Sequence, residues 1–140
     1  TDVFRPAVKR AEERGVVLCF EPLAPSETNF VNTAAEGRRF AAQFASKAMS
    51  IILDVKAMSS EGRPVADIIR ESAGKFEYFH ANDPNLKGPG FGDMDFVPIG
   101  AALREVKYEG IVSVEVFNFD EGPEVIATQS RANLRKAFGC

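Results

Sequence analysis

The sequence predicts an α/β fold built on a parallel sheet, and three observations carry that prediction. Short apolar runs recur along the chain, amphipathic segments of helical period separate them, and each run stops at an ionisable side chain. Strands that alternate with helices of this length imply right-handed βαβ crossovers, and hence parallel pairing.

Each element has its own signal. Asp2 is placed to cap a first helix through Arg14, with Phe4, Val8 and Ala11 at helical spacing and Gly15 as its stop. Val16 to Phe20 is apolar at consecutive positions, the mark of a strand buried on both faces, and it ends at Glu21. Asn32 or Thr33 opens a second helix to Met49, with Ala34, Phe40, Ala41 and Phe44 for its inner face. Ile51 to Leu53 is the second strand, ending at Asp54. A polar loop from Ser59 to Arg63 leads to Pro64, which suits a first helical turn, and to a short helix over Val65 to Ala73 that Gly74 ends. Phe76 to Phe79 is the third strand, ending at His80, and a loop rich in Gly and Pro runs on to Phe96. Val97 to Tyr108 is the next helix and Ile111 to Val114 the fourth strand, which ends at Glu115. Gly122 and Pro123 introduce a last helix reaching Phe138.

Composition narrows the function. A chain of 140 residues with 45% hydrophobic content can bury one core. Its 17 Lys and Arg against 20 Asp and Glu give a net charge of -3, with no basic block to neutralise a run of phosphates, which argues against a nucleic-acid partner. No apolar stretch approaches the roughly 20 residues of a membrane helix, so no membrane association is expected. Cys19 lies in an apolar run and Cys140 ends the chain, which suggests no disulfide framework and fits a reducing cytoplasm. Thr1 opens directly into a helical pattern, so a trimmed or incomplete chain is expected.

The chemistry is carried by the strand ends. In parallel α/β folds ligands gather at the carboxyl ends of strands, and here those ends hold Glu21, Asp54, His80 and Glu115. Any one of them alone is more often a solvated acid, a helix cap or a satisfied interior histidine. Four in register point instead to one convergent site. Three carboxylates and an imidazole form a hard-to-borderline donor set, suited to one divalent metal ion such as Mn2+, Mg2+, Co2+ or Zn2+.

The segments CFEP, ILDVKAM, YFHANDPN and VSVEVF, in that order, resemble the last four strands of the xylose-isomerase-like barrel superfamily, in particular its D-tagatose and D-psicose 3-epimerase group. The resemblance implies a (β/α)8 TIM-barrel type of which this chain holds about the last four β/α units, strands five to eight, as one unit over residues 1–140. It also implies a divalent-metal-dependent isomerase or epimerase of a sugar or related polyol, cytoplasmic, with a small-molecule sugar as its partner. In such an enzyme the metal polarises the carbonyl and holds developing enediolate charge while two carboxylates move the proton. By resemblance, Glu21 and Glu115 serve as ligands and as acid and base, and Asp54 and His80 as ligands. His80 must then be neutral, with an acceptor on its other ring nitrogen.

The substrate-contacting pattern departs from the group's. Where the epimerases place a His three residues after the Asp and an Arg six residues after the His, this chain has Ala57 and Leu86. Glu27 stands where the group has a second Glu, and Lys56 and Lys87, beside the altered positions, are the candidate cationic contacts. Gly88, Gly90 and Gly92 can let backbone approach a substrate or phosphate, or can simply form a flexible connector. Phe91 fits either a wall over a sugar face or a residue packed on the rim. The alternative functions are a dehydratase or lyase of the same superfamily, and a metal-binding half-barrel without catalysis of its own. The superfamily's multi-zinc endonuclease branch is excluded, because a single histidine cannot supply its cluster. Four strands also leave two sheet edges and an apolar inner face uncovered. Either a homo-oligomer or a missing N-terminal half-barrel is therefore expected to cover them.

Overall fold

The computed structural model describes residues 1–139, and Cys140 lies outside them. Strands β1 (Leu18–Phe20), β2 (Met49–Asp54), β3 (Tyr78–Ala81) and β4 (Ile111–Val114) form a sheet in the order β1-β2-β3-β4. All three neighbouring pairs are parallel. The helices are α1 (Arg5–Arg14), α2 (Ala34–Ala42), α3 (Val55–Ser59), α4 (Val65–Glu71), α5 (Phe96–Glu105) and α6 (Pro123–Phe138). A parallel sheet whose strands neighbour one another in chain order, with helices between them, is part of a (β/α)8 barrel. No helix among the described residues is long and apolar enough to cross a membrane.

Strand alternation divides the sheet into two unlike faces. Ile51, Leu53, Phe79 and Ala81 point toward the helices and pack with Ile68 and Ile69 of α4, Ile99 and Ala102 of α5 and Leu134 of α6. A second cluster joins Val8 and Ala11 of α1 to Phe40 and Met49, with Leu18 and Phe20 against it. On the opposite face Val17 is 41% and Ile111 61% exposed. That is the face turned to the interior of a closed barrel.

The structure corrects several element boundaries. Asp2 does not cap α1; the Thr1 carbonyl accepts from the N–H groups of Phe4 and Arg5, and the helix starts at Arg5 with Phe4 as an N-cap without a side-chain bond. α2 ends at Ala42 rather than Met49, because the chain turns through Ala45 at φ 51° and spends Met49 on β2. β1 is shorter than the apolar run and is not buried on both sides, since nothing among the described residues covers its inner face. α3 was not anticipated between the second strand and the loop expected from Ser59: Asp54, besides ending β2, accepts from the Ala57 N–H and caps a five-residue helix. β3 lies two residues later than the apolar run and includes His80. Lys107 at φ 54° ends the α5 segment, so Tyr108 is not helical. α4 and α6 lie where the glycine and proline signals put them.

Candidate metal centre

Register puts Asp54 directly across from His80 on the β2–β3 pair. Glu21 and Glu115 immediately follow the last residues of β1 and β4, so all four side chains emerge at one end of the sheet. His80 Nδ1 lies 3.0 Å from Glu21 Oε1, 3.4 Å from Glu115 Oε2 and 3.8 Å from Asp54 Oδ2. One ligand atom from each of the four falls within 4.8 Å of the others. Hard divalent ions hold oxygen and nitrogen donors at about 2.0–2.6 Å, so donors on opposite sides of an ion stand up to about 5 Å apart. The donor set and its spacing therefore fit a single divalent ion.

The electrostatics of the site favour a cation. Burial pushes the Asp54 carboxyl up to about 6, against the opposing pull of the Ala57 N–H and the Asn82 amide, and the Glu21 charge raises it further. The hydrogen bond to Glu21 holds the His80 imidazole above its ordinary value in spite of burial, and Glu21, Glu115 and Asp54 add their charges in the same direction. The three carboxylates thus stabilise positive charge at Nδ1, the point on which they converge. The hydrogen bonds and ion pairs of His80 to described residues all run through Nδ1, so the expected acceptor for its other nitrogen is not among them.

The three predicted substrate-contacting residues fall into two pairs. Lys56 Nζ lies 2.6 Å from Glu27 Oε1 and stands 5.3 Å from the centroid of the Phe117 ring. Lys56 and Phe117 lie two residues after Asp54 and Glu115, members of the cluster, and Glu27 lies six residues after Glu21. Lys87 is bound instead to Glu121, which holds its ammonium above the ordinary lysine range. Leu86 is 42% exposed, and its carbonyl accepts from the N–H groups of Phe117 and Asn118, tying the loop after β3 to the loop after β4. The expectation for the glycines is corrected. A side chain at Gly88 would run into Ser130, at Gly90 into Asn133 and at Gly92 into the Asp83 carboxylate, so all three permit close packing of the loop on its own protein. Phe91 is half-buried on that loop.

Two residues that sequence reasoning passed over shape the site. Asn82 is 1% exposed and donates to Asp54 Oδ2 at 2.6 Å. Asp83 is 3% exposed and accepts from the Met94 N–H at 3.0 Å, which sets the path of the glycine loop. The sequence signal for Asn82 was period-2 continuation beyond β3, which puts it on the same face as His80.

A parallel α/β sheet with three carboxylates and an imidazole gathered at its carboxyl edge defines a (β/α)8-type protein with a candidate metal centre. The family described as xylose isomerase-like TIM barrel matches residues 1–137, and the chain belongs to that family. It is 36% identical over 107 residues to D-psicose 3-epimerase of Agrobacterium fabrum (strain C58 / ATCC 33970), a match covering 76% of this chain and 37% of that protein. It is 29% identical over 135 residues to 3-dehydro-D-guloside 4-epimerase of Escherichia coli (strain K12), covering 96% of this chain and 52% of the relative. A crystal structure of D-psicose 3-epimerase in the presence of D-fructose superposes with a TM-score of 0.89 at 27% identity, over 98% of this chain and 54% of the other. The chain thus spans between about a third and about half the length of these relatives.

Proposed function

We propose that this chain carries the catalytic metal centre of a divalent-metal-dependent epimerase or isomerase acting on a keto sugar or related polyol. The observation that carries the reading is the convergence of Glu21, Asp54, His80 and Glu115 on one imidazole nitrogen at the sheet's carboxyl edge. The relatives named for epimerisation at sugar C3 and C4 support the substrate class. These four residues would hold Mn2+, Mg2+, Co2+ or Zn2+, which when bound would supply Lewis-acid polarisation of a sugar carbonyl.

The chain's own residues do the rest. Glu21 and Glu115 approach His80 from opposite edges of the sheet, just after β1 and β4, so they flank a substrate from two sides. One takes the proton from the carbon beside the carbonyl and the other returns a proton to the opposite face, which inverts that carbon. Glu27 and Lys56 together offer an acceptor and donors to sugar hydroxyls, Phe117 offers an apolar ring face, and Lys87 contributes from the loop after β3. The inner face of the sheet is covered either by four further β/α units of a longer chain or by a second copy of this one.

A second reading, a metal-binding half-barrel without turnover of its own, is favoured by the exposed inner face at Val17 and Ile111. Positioning supplies much of an enzyme's rate, and loops from four more strands would contribute to it. The test is deuterium incorporation beside the carbonyl of D-psicose or D-tagatose in heavy water with Mn2+-loaded protein. Metal-dependent exchange, slow and absent in Glu115→Gln, is expected. No exchange from folded, metal-loaded protein would leave the non-catalytic reading.

A further inference from the structure

We infer that Asn82 is a positioning residue that fixes which Asp54 oxygen faces the metal centre, an assignment that rests on the metal-centre reading above. Asp54 and Asn82 are 3% and 1% exposed, so neither side chain can exchange its partners for water. Asn82 Oδ1 accepts from the Lys56 N–H at 2.9 Å, which turns Asn82 Nδ2 toward Asp54 Oδ2 at 2.6 Å. The backbone contact therefore decides the orientation of the amide, because an amide nitrogen in that place could not accept. Asp54 Oδ1 is engaged separately by the Ala57 N–H at 2.7 Å.

With one donor on each oxygen the carboxylate cannot rotate without breaking a buried hydrogen bond. The remaining lone pair of Oδ2 is then left for the cluster, 3.8 Å from His80 Nδ1. Asn82 also joins two elements: it follows β3, which carries His80, and it binds the first turn of α3, which Asp54 caps. One amide thus couples the placement of two of the four candidate ligands. A hydrogen bond to a ligating carboxylate commonly changes metal affinity by about 10–100-fold when it is removed.

The experiment is a Co2+ titration of the chain followed by visible absorption, which reads both affinity and coordination geometry, with circular dichroism to verify folding. Asn82→Ala is expected to raise the dissociation constant by about 10–100-fold and to alter the Co2+ spectrum at saturation. Asn82→Ser, a smaller polar change too short to bridge both partners, carries the same expectation should the alanine variant fail to fold. Ser59→Gly, which removes the Ser59 hydroxyl bond to the Val55 carbonyl and loosens α3 without touching Asp54, is expected to leave both readouts unchanged. Matching shifts in Ser59→Gly would show that Asn82 acts only by holding α3, and would overturn the assignment. Binding that is lost in His80→Ala but unchanged in the folded Asn82 variants would overturn the role of Asn82 alone. Failure of the unaltered chain to bind Co2+ would overturn the metal centre, and the role of Asn82 with it.

Discussion

The two faces of the sheet are made by the same strands and differ in nearly every physical respect. Toward the helices, Ile51 and Phe79 are fully buried in a continuous apolar cluster. Toward the barrel interior, apolar residues are partly open, and the ionisable residues gather at one end. Folding information therefore sits mainly on the outer face and chemical information on the inner one. The largest test of that contrast sets Phe79→Ala beside Ile111→Ser. Emptying the Phe79 site should cost about 3–5 kcal/mol of stability. Replacing the exposed Ile111 should stay within about 0.5 kcal/mol. Urea unfolding at several protein concentrations checks both. A large, concentration-dependent cost at Ile111 would show that the inner face is covered by a second copy in solution.

The next effect depends on pH and concerns the metal-free protein. Burial pushes the Asp54 carboxyl up to about 6 from the 3.8 of a free aspartate, so the native state holds the extra proton and loses stability as pH rises from about 4 through 6. A shift of that size corresponds to about 3 kcal/mol. His80 acts in the same direction: its folded value lies above 6.5, so its contribution is complete below 6.5 and is lost as pH rises through the folded value. Thermal melts in chelator should thus show the chain less stable at pH 8 than at pH 5, and excess Mn2+ should reverse the trend. A metal-free protein that gains stability over this range would contradict the crowded-carboxylate picture of the site.

What the sequence made legible follows the same division. Apolar runs, helix caps and the glycine and proline signals are local, and they located all four strands and most helices. Asp54, His80, Glu21 and Glu115 were legible because a strand's end is itself a local feature. α3 was missed because its cap is the residue that also ends β2, and the end of α2 was missed because Met49 satisfies a helical stripe as well as a strand core. Asn82 was missed for a different reason. Its role depends on a Lys56 N–H and an Asp54 oxygen far away in sequence, and period-2 continuation beyond β3 assigns the residue a face without naming those partners. The glycines of the loop after β3 left a ligand approach and a flexible connector equally open, because their close neighbours Ser130, Asn133 and Asp83 are distant in the chain or carry no local signal.

The smallest effect is expected at the border between the faces. The Lys56–Glu27 pair is partly exposed, with side chains at 15% and 34%. Lys56→Met should therefore change stability by about 1 kcal/mol or less. If the pair contacts substrate, the same change should weaken sugar binding to the metal-loaded chain, measured by calorimetry, while leaving metal affinity intact. Equal sugar affinity in the variant would remove Lys56 from the substrate-contacting set.

The central claim is that four strand-end side chains hold one divalent ion. Elemental analysis of metal-loaded protein after exhaustive dialysis tests it most directly, comparing the unaltered chain with His80→Ala. The account predicts one equivalent of Mn2+ or Co2+ per unaltered chain, and loss of that equivalent in a His80→Ala protein that keeps its circular dichroism spectrum, because a strand-end ligand contributes more to the site than to the core. An unaltered chain that retains no metal, or a His80→Ala chain that retains as much, would contradict it.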